Sequence, residues 1–224
     1  AVRRFQNICK ALKYAPFPVV AAPLARTLGG GAEISLHAAR VQASAELYMG
    51  LVEVGVGVVP AGGGCKEMLL RLGDARKAFE LVGMAKVSTS AGHARELGLL
   101  RTGDAVSMNQ ERLLDDAKQL ALSLAPGYEP PAPQSVSVGG DPAGALMKLG
   151  AWLMREGGYI TGYDMVVAEK LAFVLSGGRL TAPQTVTEQY LLDLEREAFL
   201  SLCGDPRTQA RMQHMLKTGK PLRN

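Results

Sequence analysis

Residues 125–133 read Ala-Pro-Gly-Tyr-Glu-Pro-Pro-Ala-Pro, and this run constrains the chain more than any other. Proline fixes φ and has no amide proton, so four prolines in nine residues bar both a helix and a paired strand. The run is expected to be a stiff linker. The patterns on its two sides differ. Before it, short apolar stretches alternate with helical periods and glycine turns; after it, every periodic segment reads as helix. The expected organisation is a mixed core over 1–125, a proline-rich linker over 126–134 and a helical region over 135–224.

In the first half, residues 3–13 predict a helix with Phe5, Ile8, Cys9 and Leu12 on one face, ended by Pro16 and Pro18. Pro18–Ala22 predicts a short buried strand. Glycines 29–31 predict a turn into a helix reaching about Ala39, and Val41–Ser44 and Leu47–Met49 predict strands. Glycines 62–64 lead into a helix closed by Gly73, a second closes at Gly83, and Ser90 is expected to cap a short one ending at Gly98. Residues 110–124 read as an amphipathic helix. Beyond the linker, Asp141 is the expected cap of a helix with Pro142 in its first turn, stopped by Gly157-Gly158. A helix over 163–176 ends at Gly177-Gly178. Thr185-Val186-Thr187-Glu188 has the form of a capping box, and Asp205-Pro206 opens a last helix that Gly219 ends. Trp152 and Met154 are expected to be packing residues.

Composition excludes several functions. A net charge of +4 with no block of like charges is a poor basis for binding nucleic acid, though a mild positive field suits a phosphate-bearing substrate. Cys9, Cys65 and Cys203 are odd in number and far apart, so neither a disulfide framework nor a cysteine metal site is expected. This usage suits a reducing compartment, and cytoplasmic residence is expected. No apolar run reaches about 18 residues, and no secretory signal is visible. His37, His93 and His214 lack metal-ligand spacing. The glycines do not spell GxGxxG, because Ile34 and Pro60 occupy the third positions, and Lys66 follows Cys65 rather than a P-loop glycine. No Ser–His–Asp set stands out.

What remains are two glutamates in glycine-rich strings. One is Leu28-Gly29-Gly30-Gly31-Ala32-Glu33. The other runs from Glu53 through Val58-Val59-Pro60-Ala61 to Gly62-Gly63-Gly64. Two carboxylates and a backbone amide at a glycine turn are the parts needed for acid–base chemistry on an activated carbonyl. Each string has a plainer explanation when taken alone: a packing turn, a carboxylate favoured by a helix dipole, or an acid at a solvent edge.

Order and spacing together resemble the crotonase (enoyl-CoA hydratase) superfamily. The strand Pro18–Ala22, the Gly-Gly-Gly-x-Glu turn and the second glutamate with its proline–glycine turn carry the likeness. Gly83, Ala91, Ala94, Gly98-Leu99-Leu100 and the tail Asp205–Pro221 extend it. It covers about 1–125 and 185–221. It implies an α/β fold, a crotonase-like ββα spiral followed by a helical C-terminal region. It also implies that the chain is the hydratase part of a fusion with a 3-hydroxyacyl-CoA dehydrogenase, with the stretch from Ser135 to Arg179 as an insertion of that subgroup.

The implied reaction is addition of water to a 2-enoyl-CoA in fatty-acid β-oxidation. The resemblance makes Glu33 the main base on the water and Glu53 the proton donor to the α-carbon. It makes the Gly30 amide an oxyanion-hole donor, with Gly31, Pro60, Ala61 and Gly62 forming the active-site turn. Ala61 stands where the family often has glycine. Lys217 and Lys220 are candidate contacts for CoA phosphates. No permanently bound cofactor or metal is implied; coenzyme A belongs to the substrate. A homo-oligomer, a covalently joined dehydrogenase, or both are expected. The Ala-Gly-Ala-Asp-like segment that supplies the family's second oxyanion amide is not found before residue 3, so the spiral is expected to be N-terminally truncated and the isolated chain inactive or in need of a partner segment. Isomerisation of enoyl-CoA and a non-catalytic CoA-binding or assembly role stay open as alternatives.

Overall fold

A computed structural model describes all 224 residues. In chain order the elements begin with α1 (Val2–Lys13), β1 (Val20–Ala21), β2 (Ala25–Leu28), α2 (Gly30–Leu36), β3 (Arg40–Ser44) and β4 (Leu47–Gly50). A 3-10 turn (Glu53–Val56), α3 (Gly64–Leu72), α4 (Ala75–Gly83), α5 (Ala91–Glu96), β5 (Ala105–Ser107) and α6 (Leu113–Leu124) come next. The last elements are β6 (Ser135–Val138), α7 (Gly140–Glu156), α8 (Gly162–Ser176), β7 (Gln184–Thr187), α9 (Glu188–Cys203) and α10 (Pro206–Thr218). The chain forms two compact units, one from 1–51 and 86–133, the other from 52–85 and 134–224.

In the first unit, successive strands stack in parallel. β1, β3 and β5 form one sheet, with Val20 opposite Arg40 and Gln42 opposite Ala105. β2 and β4 form a second, with Ala25 opposite Leu47 and Leu28 opposite Gly50. Each β-β step is thus laid on the previous one, the arrangement of a spiral whose turns supply one another's ladder bonds. Central β3 is buried from Val41 to Ser44, as parallel strands covered on both faces are. Ala32, Leu36, Val41, Ala43, Leu47, Met49, Leu99 and Leu100 fill the core.

Buried polar groups fix the strands where ladder bonds run out. The Asp104 carboxylate accepts from the Val41 amide at 2.9 Å and the Arg101 amide at 2.7 Å. The Ser88 hydroxyl accepts from the Met49 amide and donates to the Leu47 carbonyl, at 2.9 and 2.8 Å.

In the second unit, α8 is buried on several sides, with Tyr163, Val167, Leu171, Ala172, Val174 and Leu175 inside. It packs against α3, α4, α7 and α9. Thr161 and Asp164 form a reciprocal capping box at its start, and Gly177, at φ +91°, closes it. No helix is long and apolar enough to cross a membrane.

Several expectations need correction. The region beyond the linker is not wholly helical: β6 and β7 pair antiparallel, with Ser135 opposite Thr187. The Ser-Val-Ser-Val alternation of β6, with both valines buried, carries the period of two that marks a strand. Thr185 lies in β7, so the supposed capping box is displaced; Thr187 caps α9 through the Tyr190 amide. Asp141 lies in the first turn of α7 rather than before it. α2 stops at Leu36, short of Ala39, and strands β2 and β5 were not expected. Ile8 is exposed on α1, and Trp152 is exposed beside Leu149 and Leu153 on α7 instead of packed.

Candidate functional site

The first string begins at Gly29, whose φ of +56° and ψ of −125° only glycine adopts at low cost. Its amide donates to the Gly50 carbonyl at 2.9 Å, and its carbonyl receives the Glu33 amide at 3.0 Å, the first bond of α2. The amides of Gly30 and Gly31 therefore precede the first helical acceptor and have no partner within the helix. The Phe5 ring lies against Gly30, with its Cζ 3.4 Å from where a Cβ would sit.

Glu33 is in the first turn of α2 and only 3% exposed. The short helix is braced by its own side chains. The Ser35 hydroxyl donates to the Gly31 carbonyl at 3.0 Å, and buried His37 places Nδ1 2.7 Å from the Glu33 carbonyl. A carbonyl can only accept, so Nδ1 carries a proton. Sequence reasoning assigned His37 no role here. Nor did it single out Gly50, which holds Gly29 and passes so close to Lys86 that a Cβ would lie 2.5 Å from its carbonyl oxygen.

The second string belongs to the other unit. Glu53 opens the 3-10 turn and is half-buried, with Oε2 shielded from solvent. Gly57 ends the turn at φ +85°. Val58, Val59, Pro60, Ala61 and Gly62 come after it, all buried. Ala61 is not among the residues with positive φ, so alanine is unstrained where the family often has glycine. Gly63, at φ +112°, turns the chain into α3.

This turn depends on residues that carry no local signal of the role. The Glu195 carboxylate, fully buried on α9, accepts from the Gly63 amide at 2.7 Å and the Lys66 amide at 2.8 Å. It thus caps α3, which has no side-chain cap of its own. Lys66, also fully buried, bonds Glu67 at 2.5 Å and Glu188 at 2.8 Å. Burial alone would pull its pKa down, but the two carboxylates together more than offset that and hold it above 10.5. On the far side of the turn, the Thr208 hydroxyl of α10 meets the Gly57 carbonyl at 2.6 Å.

Lys217 and Lys220 lie exposed at the C-terminal end of α10, a position where cations are favoured by the helix dipole. The glycine turn, Gly30, Gly31 and Glu33 are therefore together in one unit. Glu53, Pro60, Ala61, Gly62 and the two lysines are in the other.

No family model matches the chain. A probable 3-hydroxyacyl-CoA dehydrogenase of Bacillus subtilis is 51% identical over the whole chain. Mouse enoyl-CoA hydratase domain-containing protein 2 is 35% identical over 62% of it. The chain spans 29% of the first relative and 45% of the second. A solved enoyl-CoA hydratase from Mycobacterium avium subsp. paratuberculosis superposes with a TM-score of 0.62 at 16% identity, covering all of this chain and 72% of that one. The chain has the crotonase fold of the enoyl-CoA hydratases. In this fold the Gly-Gly-Gly-x-Glu string forms a helix start, and the stacked parallel strands on either side of it are turns of the spiral.

Proposed function

We propose that this chain hydrates 2-enoyl-CoA thioesters to 3-hydroxyacyl-CoA, with Glu33 and Glu53 handling the water and its proton. The observation that carries this reading is the burial of Glu33. An exposed acid in a first helical turn already gains about 0.3–1 kcal/mol from the dipole. Burying its carboxylate adds a desolvation cost that helix stability does not require. A carboxylate held inside, beside a glycine start whose amides have no helical partner, suits a reaction in which negative charge develops on a thioester oxygen.

The Gly30 amide supports that oxygen in this reading, Glu33 takes the proton from water, and Glu53 delivers one to the α-carbon. Gly31, Pro60, Ala61 and Gly62 shape the turns around these groups, and Lys217 and Lys220 attract the phosphates of the nucleotide tail. The name of the B. subtilis relative supports an onward step, because a 3-hydroxyacyl-CoA dehydrogenase oxidises the product of this hydration. We place the reaction in fatty-acid β-oxidation on that ground.

The test is loss of enoyl-thioester absorbance when a short 2-enoyl-CoA is mixed with the chain. Turnover that falls by about 10²-fold or more in both Glu33→Gln and Glu53→Gln is expected, as general acid–base groups contribute on that scale. Turnover that survives Glu33→Gln would refute the assignment.

A further inference from the structure

We infer that Thr208, backed by Tyr163, is the positioning residue for Glu53. This rests on Glu53 acting as proposed above. The 3-10 turn that Glu53 opens is only four residues long and belongs to no sheet. A glycine at positive φ closes it. Such a turn needs outside support to hold a side chain in place.

The support comes through the backbone at Gly57 and Val58. The Val58 amide donates to the Glu53 carbonyl at 3.2 Å, and the Gly57 carbonyl oxygen of the same peptide group faces the Thr208 hydroxyl at 2.6 Å. The Thr208 hydroxyl has a single proton, and a carbonyl can only accept, so that proton goes to Gly57. The Tyr163 hydroxyl, 2.6 Å from Thr208 Oγ1, must then donate to it. The chain Tyr163 → Thr208 → Gly57–Val58 → Glu53 runs in one direction, so each bond polarises the next.

The far end of this chain is buried and braced. Thr208 and Tyr163 are 0% and 2% exposed. The Tyr163 ring lies against two guanidinium groups, with Arg207 at 4.1 Å and Arg211 at 5.0 Å from its centre. Arg211 is itself fixed by Asp164 at 2.7 Å and by Asn224 at 2.8 Å. The approach of α10 to the turn also leaves no room at Gly57. A Cβ there would lie 2.7 Å from Thr208 Oγ1 and 3.3 Å from its Cα. Glycine at 57 thus serves both the turn and the contact.

Thr208→Val, which keeps the shape and removes the hydroxyl, is the direct test, with Thr208→Ser as rescue and Tyr163→Phe as a milder break. Two readouts are taken on the whole chain: amide hydrogen exchange across residues 53–64, and kcat and KM for a short 2-enoyl-CoA. Thr208→Val is expected to speed exchange of the Gly57 and Val58 amides about tenfold, the weight of one buried hydrogen bond. It is expected to lower kcat by a similar factor with KM within twofold. Thr208→Ser should restore both, and Tyr163→Phe should fall between.

Unchanged exchange in Thr208→Val, equal damage in Thr208→Ser, or a rise in KM with kcat intact would each overturn the proposal. If Thr208→Val does not fold, Tyr163→Phe is compared with wild type by the same two readouts, and unchanged exchange or an intact kcat there overturns it equally. If the wild-type chain itself does not hydrate the thioester, the hydratase reading falls, and the exchange data alone decide whether Thr208 holds the turn.

Discussion

Removing the Glu195 carboxylate should cost this protein a large share of its stability, and the size can be worked from two distances. The carboxylate accepts backbone amides at 2.7 and 2.8 Å, and the side chain is fully buried. Hydrogen bonds to a charged group are worth about 1.5–3 kcal/mol each, so the pair amounts to about 3–6 kcal/mol. Deleting the carboxylate also removes its own desolvation cost, which places the expected loss for Glu195→Ala in the lower half, about 3–4 kcal/mol. In a chain of this size each kcal/mol moves Tm by about 2–4 °C, giving a drop of about 6–16 °C. Glu195→Gln keeps one acceptor oxygen but turns an amide N–H₂ toward the second donor, so about half the loss is expected. Glu197, exposed two residues along, is the control, and its alanine variant should stay within about 0.5 kcal/mol of wild type. Thermal unfolding followed by far-UV circular dichroism measures all three. A Glu195→Ala shift under about 3 °C, or a Gln variant worse than the alanine one, would refute the view that this carboxylate caps α3.

Two further outcomes are expected. The pKa of Lys66 is raised in the folded protein, so its contribution to stability is complete below its ordinary value of 10.5 and is lost as pH climbs through the higher folded value. Urea midpoints between about pH 9 and 12 should therefore fall at the alkaline end, and a Lys66→Met variant should lose that slope. Gly50→Ala would drive a Cβ to 2.5 Å from the Lys86 carbonyl oxygen, a backbone atom that cannot swing aside. The expected cost is about 1–3 kcal/mol, read as a lower urea midpoint, since overpacking in a fixed site costs that much.

Much of the fold was legible where one local rule sufficed. Gly73, Gly177 and Gly219 close their helices at positive φ, as a glycine after a helical period predicts. Ser90 caps α5 through the His93 amide, as a serine before such a period predicts. The strands that escaped notice are short, and their partners are distant in sequence. β5 has three residues, and its existence depends on β3, more than sixty residues earlier. Period alone cannot find an element whose stability comes from its neighbour. The turn at Glu53 carries little local signal for a related reason: valines alternating with glycines show no helical period, while the positive φ of Gly57 curls them into a turn.

The candidate acids themselves were visible because glycines mark them. The residues that hold them were not. Thr208, Tyr163 and Glu195 look like ordinary helix residues. Nothing local tells that the Thr208 and Glu195 side chains meet backbone groups more than a hundred residues away. Lys66 had no signal either, since a lone lysine beside a glutamate on a helix is normally solvated.

The capping of α3 by Glu195 also dictates when that part of the protein can be finished during synthesis. The donor amide of Gly63 and the acceptor are separated by 132 residues. At roughly 5–20 residues added per second, about 7–26 s pass between the appearance of Gly63 and that of Glu195. Throughout that interval the Gly62–Gly64 turn is a nascent, uncapped stretch with apolar Met68, Leu69 and Leu70 just beyond it. A ribosome paused after residue 133 would hold the finished sequence of one unit and only the opening part of the other. Those apolar residues gain their helix cap only once α9 has been made.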